Sequence, residues 1–283
     1  MPIYKPSELI GFLSDLGVTP KKGMSQNFLI DKNIIQKILS ASKVERGDLV
    51  VEVGSGPGCL SEALLERGAS LLAIEKDLQL AKALERFNAL EGQLEIIQAD
   101  ILDLPIPDIL HKRLHEGKKA KFIANLPYHL TTPILAQFIT MHTLFSSLTV
   151  MVQEEVARRM VALPGSKEYG SLSLFLSFYA QMRYAFSVSN RCFYPVPRVQ
   201  SAVVVLELRD PPLVSDVVAF FKMTRLAFCH RRKMLRASLR PLYAPALITA
   251  SLQFLQLPLE TRPEQLSLQQ FLMLFELLQK EIL

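Results

Sequence analysis

The ten residues Leu49-Val50-Val51-Glu52-Val53-Gly54-Ser55-Gly56-Pro57-Gly58 decide the fold of this chain. The first five form a mainly apolar run, which is typical of a buried strand. The glycines that follow let the backbone turn sharply and approach a ligand closely. Leu60 to Arg67 then has helical character, so the N-terminus of this helix would point at the bound ligand. The glycine spacing is G-x-G-x-G and not the G-x-G-x-x-G that seats a pyrophosphate, so the ligand need not contain one.

Similar apolar runs alternate with helix-like stretches on the C-terminal side of this turn. Most of the runs do not alternate strictly with polar residues, as is typical of parallel strands that are covered on both faces. This rhythm predicts a doubly wound α/β domain. The expected strands are Leu49–Val53, Leu71–Glu75, Leu94–Gln98, Lys121–Ala124, Leu148–Val152 and a late strand, Ala202–Leu208. The expected helices are Lys32–Ser40, Leu60–Arg67, Leu78–Phe87, Val156–Val161 and Ser171–Met182.

Pro211 and Pro212 break this pattern, and the sequence after them is helical throughout. Further helices are expected over Leu247–Leu255 and Leu268–Ile282. One helical face is expected to carry Val217, Phe221, Phe228, Leu235 and Leu239. We therefore predict a Rossmann-like domain over residues 1–210 and a smaller all-helical domain over residues 211–283.

The composition indicates an ordinary soluble globular protein, with 49% hydrophobic and 21% charged residues. A net charge of +5 permits a polyanionic partner without requiring one. No secretory signal or membrane-spanning run is visible, and a cytoplasmic location is expected. The three cysteines are far apart and fit neither a disulfide framework nor a zinc site. His111 and His115 have the helical spacing of metal ligands but no third ligand nearby in the sequence, so no metal is expected.

Two acidic residues follow the glycine turn at successive strand ends. Glu75 lies about twenty residues after Gly54, where a carboxylate can accept hydrogen bonds from ribose hydroxyls. Asp100 ends the third strand, where it can accept from an adenine amine. Ligands of open α/β sheets bind at these strand ends, so a nucleoside cofactor is expected, and S-adenosylmethionine meets that description. The alternative is an ordinary tight turn with Glu75 and Asp100 as helix caps.

The fourth strand ends in the tetrapeptide Asn125-Leu126-Pro127-Tyr128. The lone pair of an adenine amine is delocalised into the ring, and acceptors placed around the amine hydrogens shift density back onto nitrogen. The Asn125 side-chain oxygen and the Leu126 carbonyl are suitable acceptors, and Pro127 stiffens the backbone between them and Tyr128. Tyr128 offers a flat face for a base. The alternative is a turn that merely ends the strand.

These motifs, in this order, resemble those of the rRNA adenine N6,N6-dimethyltransferases of bacteria and their eukaryotic relatives. The chain departs from the common pattern at Ser25, Ser55 and His129, and none of these changes removes a proposed catalytic group. The resemblance rests on Ser25–Asp31, Glu52–Gly58, Glu75, Asp100, Asn125–Tyr128, Phe193–Ser201 and Ala227–Arg236.

The resemblance implies an enzyme that dimethylates two adjacent adenosines in the 3′-terminal hairpin of small-subunit (16S) rRNA, in a subunit that is still being assembled. Such a protein would act as a cytoplasmic monomer in ribosome biogenesis. Phe193 would sandwich the target base opposite Tyr128. The cofactor would be contacted by Asn27, Leu29, Gly54, Glu75, Asp100 and Asn125.

Basic residues near the start of the helical domain, and two before the cofactor segment, are candidates for RNA phosphate contacts. A solvated helix face is the alternative, although Arg232, Arg236 and Arg240 would share one face of a helix. The candidates are Lys21, Lys22, Arg231, Arg232, Lys233, Arg236 and Arg240. Two other functions stay open at this point: a large-subunit rRNA adenine N6-methyltransferase, and a non-catalytic ribosome-assembly or transcription factor with the same fold.

Overall fold

The computed structural model describes residues 3–20, 26–88, 93–230 and 233–280. The strands are β1 Phe28–Leu29, β2 Leu49–Val53, β3 Ser70–Glu75, β4 Leu94–Gln98, β5 Ala120–Asn125, β6 Phe145–Gln153, β7 Ala180–Val188, β8 Phe193–Tyr194 and β9 Ser201–Leu208. The helices are α1 Pro6–Asp15, α2 Lys32–Ser42, α3 Cys59–Glu66, α4 Leu78–Leu84, α5 Ile106–His111, α6 Thr131–Phe138, α7 Glu154–Met160, α8 Ser171–Tyr179, α9 Val217–Cys229, α10 Leu235–Ser238, α11 Pro245–Phe254 and α12 Leu268–Gln279.

Within the described ranges, the main sheet has seven strands in the order β4-β3-β2-β5-β6-β9-β7. The pairs from β4 to β6 are parallel, and β9 runs antiparallel to β6. The chain first builds the sheet outward from β2 to β4 and then returns to add β5 beside β2. The strand order therefore reverses between β2 and β5, and open α/β sheets bind ligands at such a reversal. The predicted Rossmann-like fold and all six predicted strands are confirmed.

Three strands were absent from the sequence prediction. The helix expected over Ser171–Met182 ends at Tyr179, and the chain continues as the sheet strand β7. The other two strands, β1 and β8, pair with each other antiparallel, with Phe28 opposite Tyr194 and Leu29 opposite Phe193. Each has two residues, so neither is long enough to show the alternation by which strands are recognised in a sequence.

The structure divides into two compact units. The first takes in the chain up to Ala157 together with Gln181–Arg209, and the second takes in Arg158–Ala180 and the chain from Asp210 onward. The sequence prediction placed residues 158–180 with the first 210 residues. In the structure Phe178 of α8 instead packs within the second unit, with ring centroids 5.6 Å from Phe220 and 5.0 Å from Phe221.

The helical prediction around residue 230 needs correction. Helix α9 ends at Cys229, and α10 begins at Leu235, so the apolar residues from 217 to 239 do not share one continuous face. The backbone of His230 leaves the helical region at φ −125° and ψ 63°. The buried residues of α9 are Phe220, Met223, Thr224 and Ala227, and Val217 is exposed. Among the described residues, no helix is both long enough and apolar enough to cross a membrane.

Replacing Phe178 with alanine tests the assignment of α8 to the second unit. This ring is fully buried, and its loss should lower the free energy of unfolding by about 3–5 kcal/mol in urea denaturation. Hydrogen exchange should accelerate in α9 more than in β2–β6. The matched control is Phe254→Ala, because Phe254 is 73% exposed and its loss should change stability by less than about 0.5 kcal/mol. Faster exchange in β2–β6 alone would contradict the assignment.

Candidate active site

A cavity lies at the carboxyl ends of β2, β3, β4 and β5 in the first unit. It brings together most of the predicted catalytic and cofactor-binding residues, which come from four strand ends and from the segment before β1. The predicted residues that line it are Asn27, Gly54, Glu75, Asp100, Asn125, Leu126, Pro127 and Tyr128. Sequence reasoning missed the lining residues Gln26, Lys76, Ile101 and His129. These residues could have been found from the sequence because they lie next to predicted residues at the same strand ends.

The glycine turn after β2 forms one wall of the cavity. Gly54 and Gly56 have φ of +71° and +55°, a region that side-chain-bearing residues rarely adopt. A Cβ on Gly56 would lie 2.9 Å from a ring carbon of Phe28, which is too close. The turn therefore needs glycine both for its backbone conformation and for the close packing of the segment that precedes α2.

Glu75 fixes this turn to the end of β3. Its buried carboxylate accepts from the Gly56 N–H at 2.8 Å and from the Asp77 N–H at 2.9 Å. Burial raises the pKa of Glu75, and the two N–H groups oppose that rise. The N-cap of α4 is Asp77, so Glu75 is not the helix cap of the alternative interpretation, and it lines the cavity. A carboxylate oxygen can accept more than one hydrogen bond, so acceptor capacity for a ligand remains.

Asp100 is paired in the structure. Its Oδ2 lies 2.8 Å from Lys76 Nζ, and its Oδ1 accepts from the Leu102 N–H at 3.1 Å. The hydrogen bond from Lys76 is the main reason that the pKa of Asp100 lies below its usual value. Asp100 is therefore an ionised acceptor at neutral pH. The lysine brings a positive charge to the cavity wall that sequence reasoning did not place there.

The side chain of Asn125 is oriented by the segment opposite. Its Nδ2 donates to the Asn27 carbonyl at 3.1 Å, so the side-chain oxygen lies on the other branch of the amide. Tyr128 is half-buried, and its hydroxyl lies 2.8 Å from Ser201 Oγ at the start of β9. Burial raises the pKa of Tyr128, which keeps the phenol neutral. Both side chains are thus held in place by hydrogen bonds to distant parts of the chain.

Two predicted site residues do not reach the cavity surface. Phe193 is only 1% exposed and belongs to the apolar core, together with Leu29. The pairing of β1 with β8 places these two residues opposite each other. The ring that is expected to sandwich the target base opposite Tyr128 is therefore covered in the core. The contact of Leu29 with the cofactor, like the role of Phe193, stays a prediction.

The candidate RNA-binding residues are only partly covered by the structure. Lys21, Lys22, Arg231 and Arg232 lie outside the described residues, as does Ser25. Lys233 and Arg240 are exposed, and Arg236 is half-buried with its guanidinium 3.9 Å from Met234 Sδ. Because α10 ends at Ser238, Arg236 and Arg240 do not lie on one helix.

A second buried carboxyl lies beneath the glycine turn. Glu52 of β2 accepts from Ser61 Oγ of α3 at 2.5 Å, and both side chains are buried. The bond therefore joins the strand before the turn to the helix after it. Burial raises the pKa of Glu52 to about 7, although the Ser61 hydroxyl opposes the rise. Sequence reasoning quoted Glu52 in the motif but assigned it no role.

The fold and the cavity together define a class, the Rossmann-like S-adenosylmethionine-dependent methyltransferases. Solved structures share the architecture. A dimethyladenosine transferase from Plasmodium falciparum superposes with a TM-score of 0.74 at 22% identity, over 90% of this chain and 98% of that one. The 23S rRNA methyltransferase ErmE superposes with a TM-score of 0.68 at 25% identity, over 89% of this chain and all of that one.

Sequence comparison gives the family. The model described as ribosomal RNA adenine dimethylase matches residues 18–280, and the chain belongs to this family. A protein of Protochlamydia amoebophila named ribosomal RNA small subunit methyltransferase A is 57% identical over 97% of each chain. A protein of the same name from Chlamydia felis is 46% identical over 96% of this chain and 95% of its own. The expected methyltransferase activity, rRNA substrate and S-adenosylmethionine cofactor are thereby confirmed.

Replacing Glu52 with glutamine tests whether the raised pKa of this carboxyl makes the stability of the protein depend on pH. The folded chain binds this proton more tightly than the unfolded chain, so the wild-type carboxyl lowers stability as pH rises from about 5 to 8. The amide does not titrate. The variant should therefore gain about 2–3 kcal/mol relative to wild type between pH 5 and pH 8 in urea denaturation. If the variant and the wild type differed in stability by the same amount at both pH values, Glu52 would not titrate in this window.

Proposed function

We propose that this enzyme dimethylates the N6 amines of two adjacent adenosines in the 3′-terminal hairpin of 16S rRNA while the small subunit is assembled. It would act as a monomer in the cytoplasm, where the rRNA substrate is made. The observation that carries the proposal is the orientation of Asn125. Its Nδ2 donates to the Asn27 carbonyl, and this leaves the side-chain oxygen as an acceptor in a cavity that Leu126 also lines and that suits a nucleoside cofactor.

The cavity residues fit S-adenosylmethionine by their chemistry. Glu75 supplies a carboxylate for ribose hydroxyls, and Asp100 supplies an ionised acceptor for the adenine amine. A side chain on Gly54 would project toward the Asn125 carbonyl and the Pro127 ring, each 3.9 Å from its Cβ, and would narrow the space where the cofactor belongs. When bound, the cofactor supplies a methyl group on a positively charged sulfur. Asn27 completes the proposed set, and the contact of Leu29 is proposed on the resemblance alone.

The protein's contribution to the reaction is alignment and polarity. The Asn125 side-chain oxygen and the Leu126 carbonyl accept from the two hydrogens of the target amine and hold its nitrogen in line with the methyl donor. Pro127 restricts the backbone that carries the carbonyl. The target base leaves the RNA helix and enters the cavity. There Tyr128 stacks on the base. The methylated amine is cationic and loses its proton readily to water, so the reaction requires no general base.

Replacing Asn125 with alanine should lower kcat by about 100-fold, the usual effect of removing one polar group that acts on the reacting centre. Affinity for S-adenosylmethionine, measured by calorimetry, should change little, since Glu75 and Asp100 remain. Asn33→Ala is the matched control, because Asn33 is an exposed asparagine outside the cavity. Wild-type turnover in Asn125→Ala would refute the proposed role.

Two replacements of Tyr128 separate stacking from the hydroxyl contact. Tyr128→Phe keeps the ring and loses only the bond to Ser201, so it should retain most activity. Tyr128→Ala loses base stacking, which is worth about 1–3 kcal/mol, and kcat/KM for RNA should fall by roughly 10- to 100-fold. Single-turnover kinetics at saturating cofactor would measure both. Equal activity of the two variants would remove stacking on Tyr128 from the mechanism.

The choice of the small subunit rests on the relatives. Two similar proteins, at 57% and 46% identity, bear the name of a small-subunit enzyme, whereas the large-subunit enzyme ErmE is 25% identical. The test is labelled methyl transfer to small and large subunits from an unmethylated strain, followed by mapping of the modified nucleotide. Label in the 3′-terminal hairpin of 16S rRNA is the expected result. Label confined to large-subunit rRNA would favour the alternative function.

A further inference from the structure

A second, larger cleft lies at the opposite end of the sheet from the cofactor cavity. It is formed where β2, β3 and β4 begin and where the loop after α5 leads into β5. Its volume of about 470 Å³ is larger than that of the cofactor cavity, about 120 Å³. The strand β2, with five residues, separates the two sites by roughly 17 Å at 3.3 Å per residue. The basic side chains that line it are Arg46, Arg113, His115, Lys118 and Lys119.

The loop that supplies most of these charges is rich in basic residues. Residues 111–121 read His-Lys-Arg-Leu-His-Glu-Gly-Lys-Lys-Ala-Lys, which contains five lysines and arginines, two histidines and one acid, Glu116. A turn closed by the bond from Lys118 N–H to the His115 carbonyl presents the lysine pair, with Gly117 at φ +74°. The function assigned above uses none of these residues.

Ion pairs neutralise only part of this charge. Arg113 pairs with Glu95, and Lys121 pairs with Asp48. Lys119 Nζ donates to the His142 carbonyl, a bond that leaves its charge uncompensated. Within the described ranges, no acidic side chain pairs with Arg46, Lys118 or Lys119. The acids that line the cleft are Asp48 and Glu95, which are paired, and the exposed Glu45, so the unpaired positive charges favour an anion.

We propose that this basic cleft, defined by Arg46, Lys118 and Lys119, binds the phosphate backbone of the substrate rRNA at a second place. The inference rests on the proposed function for the identity of the RNA. Lysine and arginine side chains on a concave surface attract phosphates without regard to base sequence, and their binding is sensitive to salt. The cleft lies roughly 17 Å from the cofactor cavity, at the opposite end of the sheet, so we assign to it a part of the rRNA other than the hairpin whose adenosine enters that cavity.

The test compares Lys118→Ala/Lys119→Ala with Lys82→Ala/Lys167→Ala, a control that removes the same charge from exposed positions elsewhere. Protein-free 16S rRNA and the isolated 3′-terminal hairpin are the two probes. For 16S rRNA the cleft variant should bind more weakly, with the slope of log K against log salt reduced by about 1–2. The cleft variant should bind the isolated hairpin as tightly as the wild-type protein does. Cofactor affinity and thermal unfolding should be unchanged in both variants.

Several outcomes would overturn the proposal. Equal loss in the cleft variant and the control would indicate a non-specific charge effect, and loss for the hairpin as well would place the lysines at the primary site. Loss for intact small subunits but not for protein-free 16S rRNA would identify a ribosomal protein as the partner. Wild-type protein that fails to methylate the hairpin in any 16S context would refute the proposed function, whatever the cleft binds.

Discussion

The site depends on one buried carboxylate that bonds two backbone N–H groups. Glu75 joins the end of β3 to the glycine turn after β2 through Gly56, and to the start of the next helix through Asp77. Burial disfavours its charge, and the two N–H groups provide the stabilisation that water would otherwise give. The carboxylate that is proposed to bind the ribose is therefore also part of the framework that shapes the cavity.

The glycine turn is held from two directions. Glu75 bonds it from the neighbouring strand, and the Glu52–Ser61 bond joins the residues before and after it. These constraints keep Gly54 and Gly56 at positive φ, where the backbone stays close to the ligand space. A preorganised turn need not be ordered when the cofactor binds, and this lowers the entropic cost of binding.

The sequence was most informative where the fold repeats a local pattern. The apolar runs identified the strands β2 to β6 and β9, and the strand ends gave Gly54, Glu75, Asp100 and Asn125 as cavity residues. These four residues line one cavity because the carboxyl ends of neighbouring parallel strands meet at one edge of a sheet. The motif order also identified the family, since several motifs in sequence are more specific than any one alone.

The parts that could not be predicted depend on long-range contacts. The bond between Asn125 and Asn27, the pairing of Lys76 with Asp100 and the burial of Phe193 follow from tertiary packing. No proline or glycine marks the end of α9 at Cys229, so the apolar pattern of the sequence continued past the end of the helix. Residues 158–180 carried no signal for the unit they join, because their aromatic partners Phe220 and Phe221 lie beyond the last strand.

The pairing of β1 with β8 has a consequence for the order in which the protein matures. Phe28 and Tyr194 are separated by more than half of the chain, yet they are direct partners. The segment that carries Asn27 thus obtains its strand partner only after Tyr194 has left the ribosome during synthesis. A nascent chain that has completed β2 to β5 possesses the glycine turn and both acids but not this closing segment. The closing segment of the site therefore pairs late in translation, once the chain extends past Tyr194.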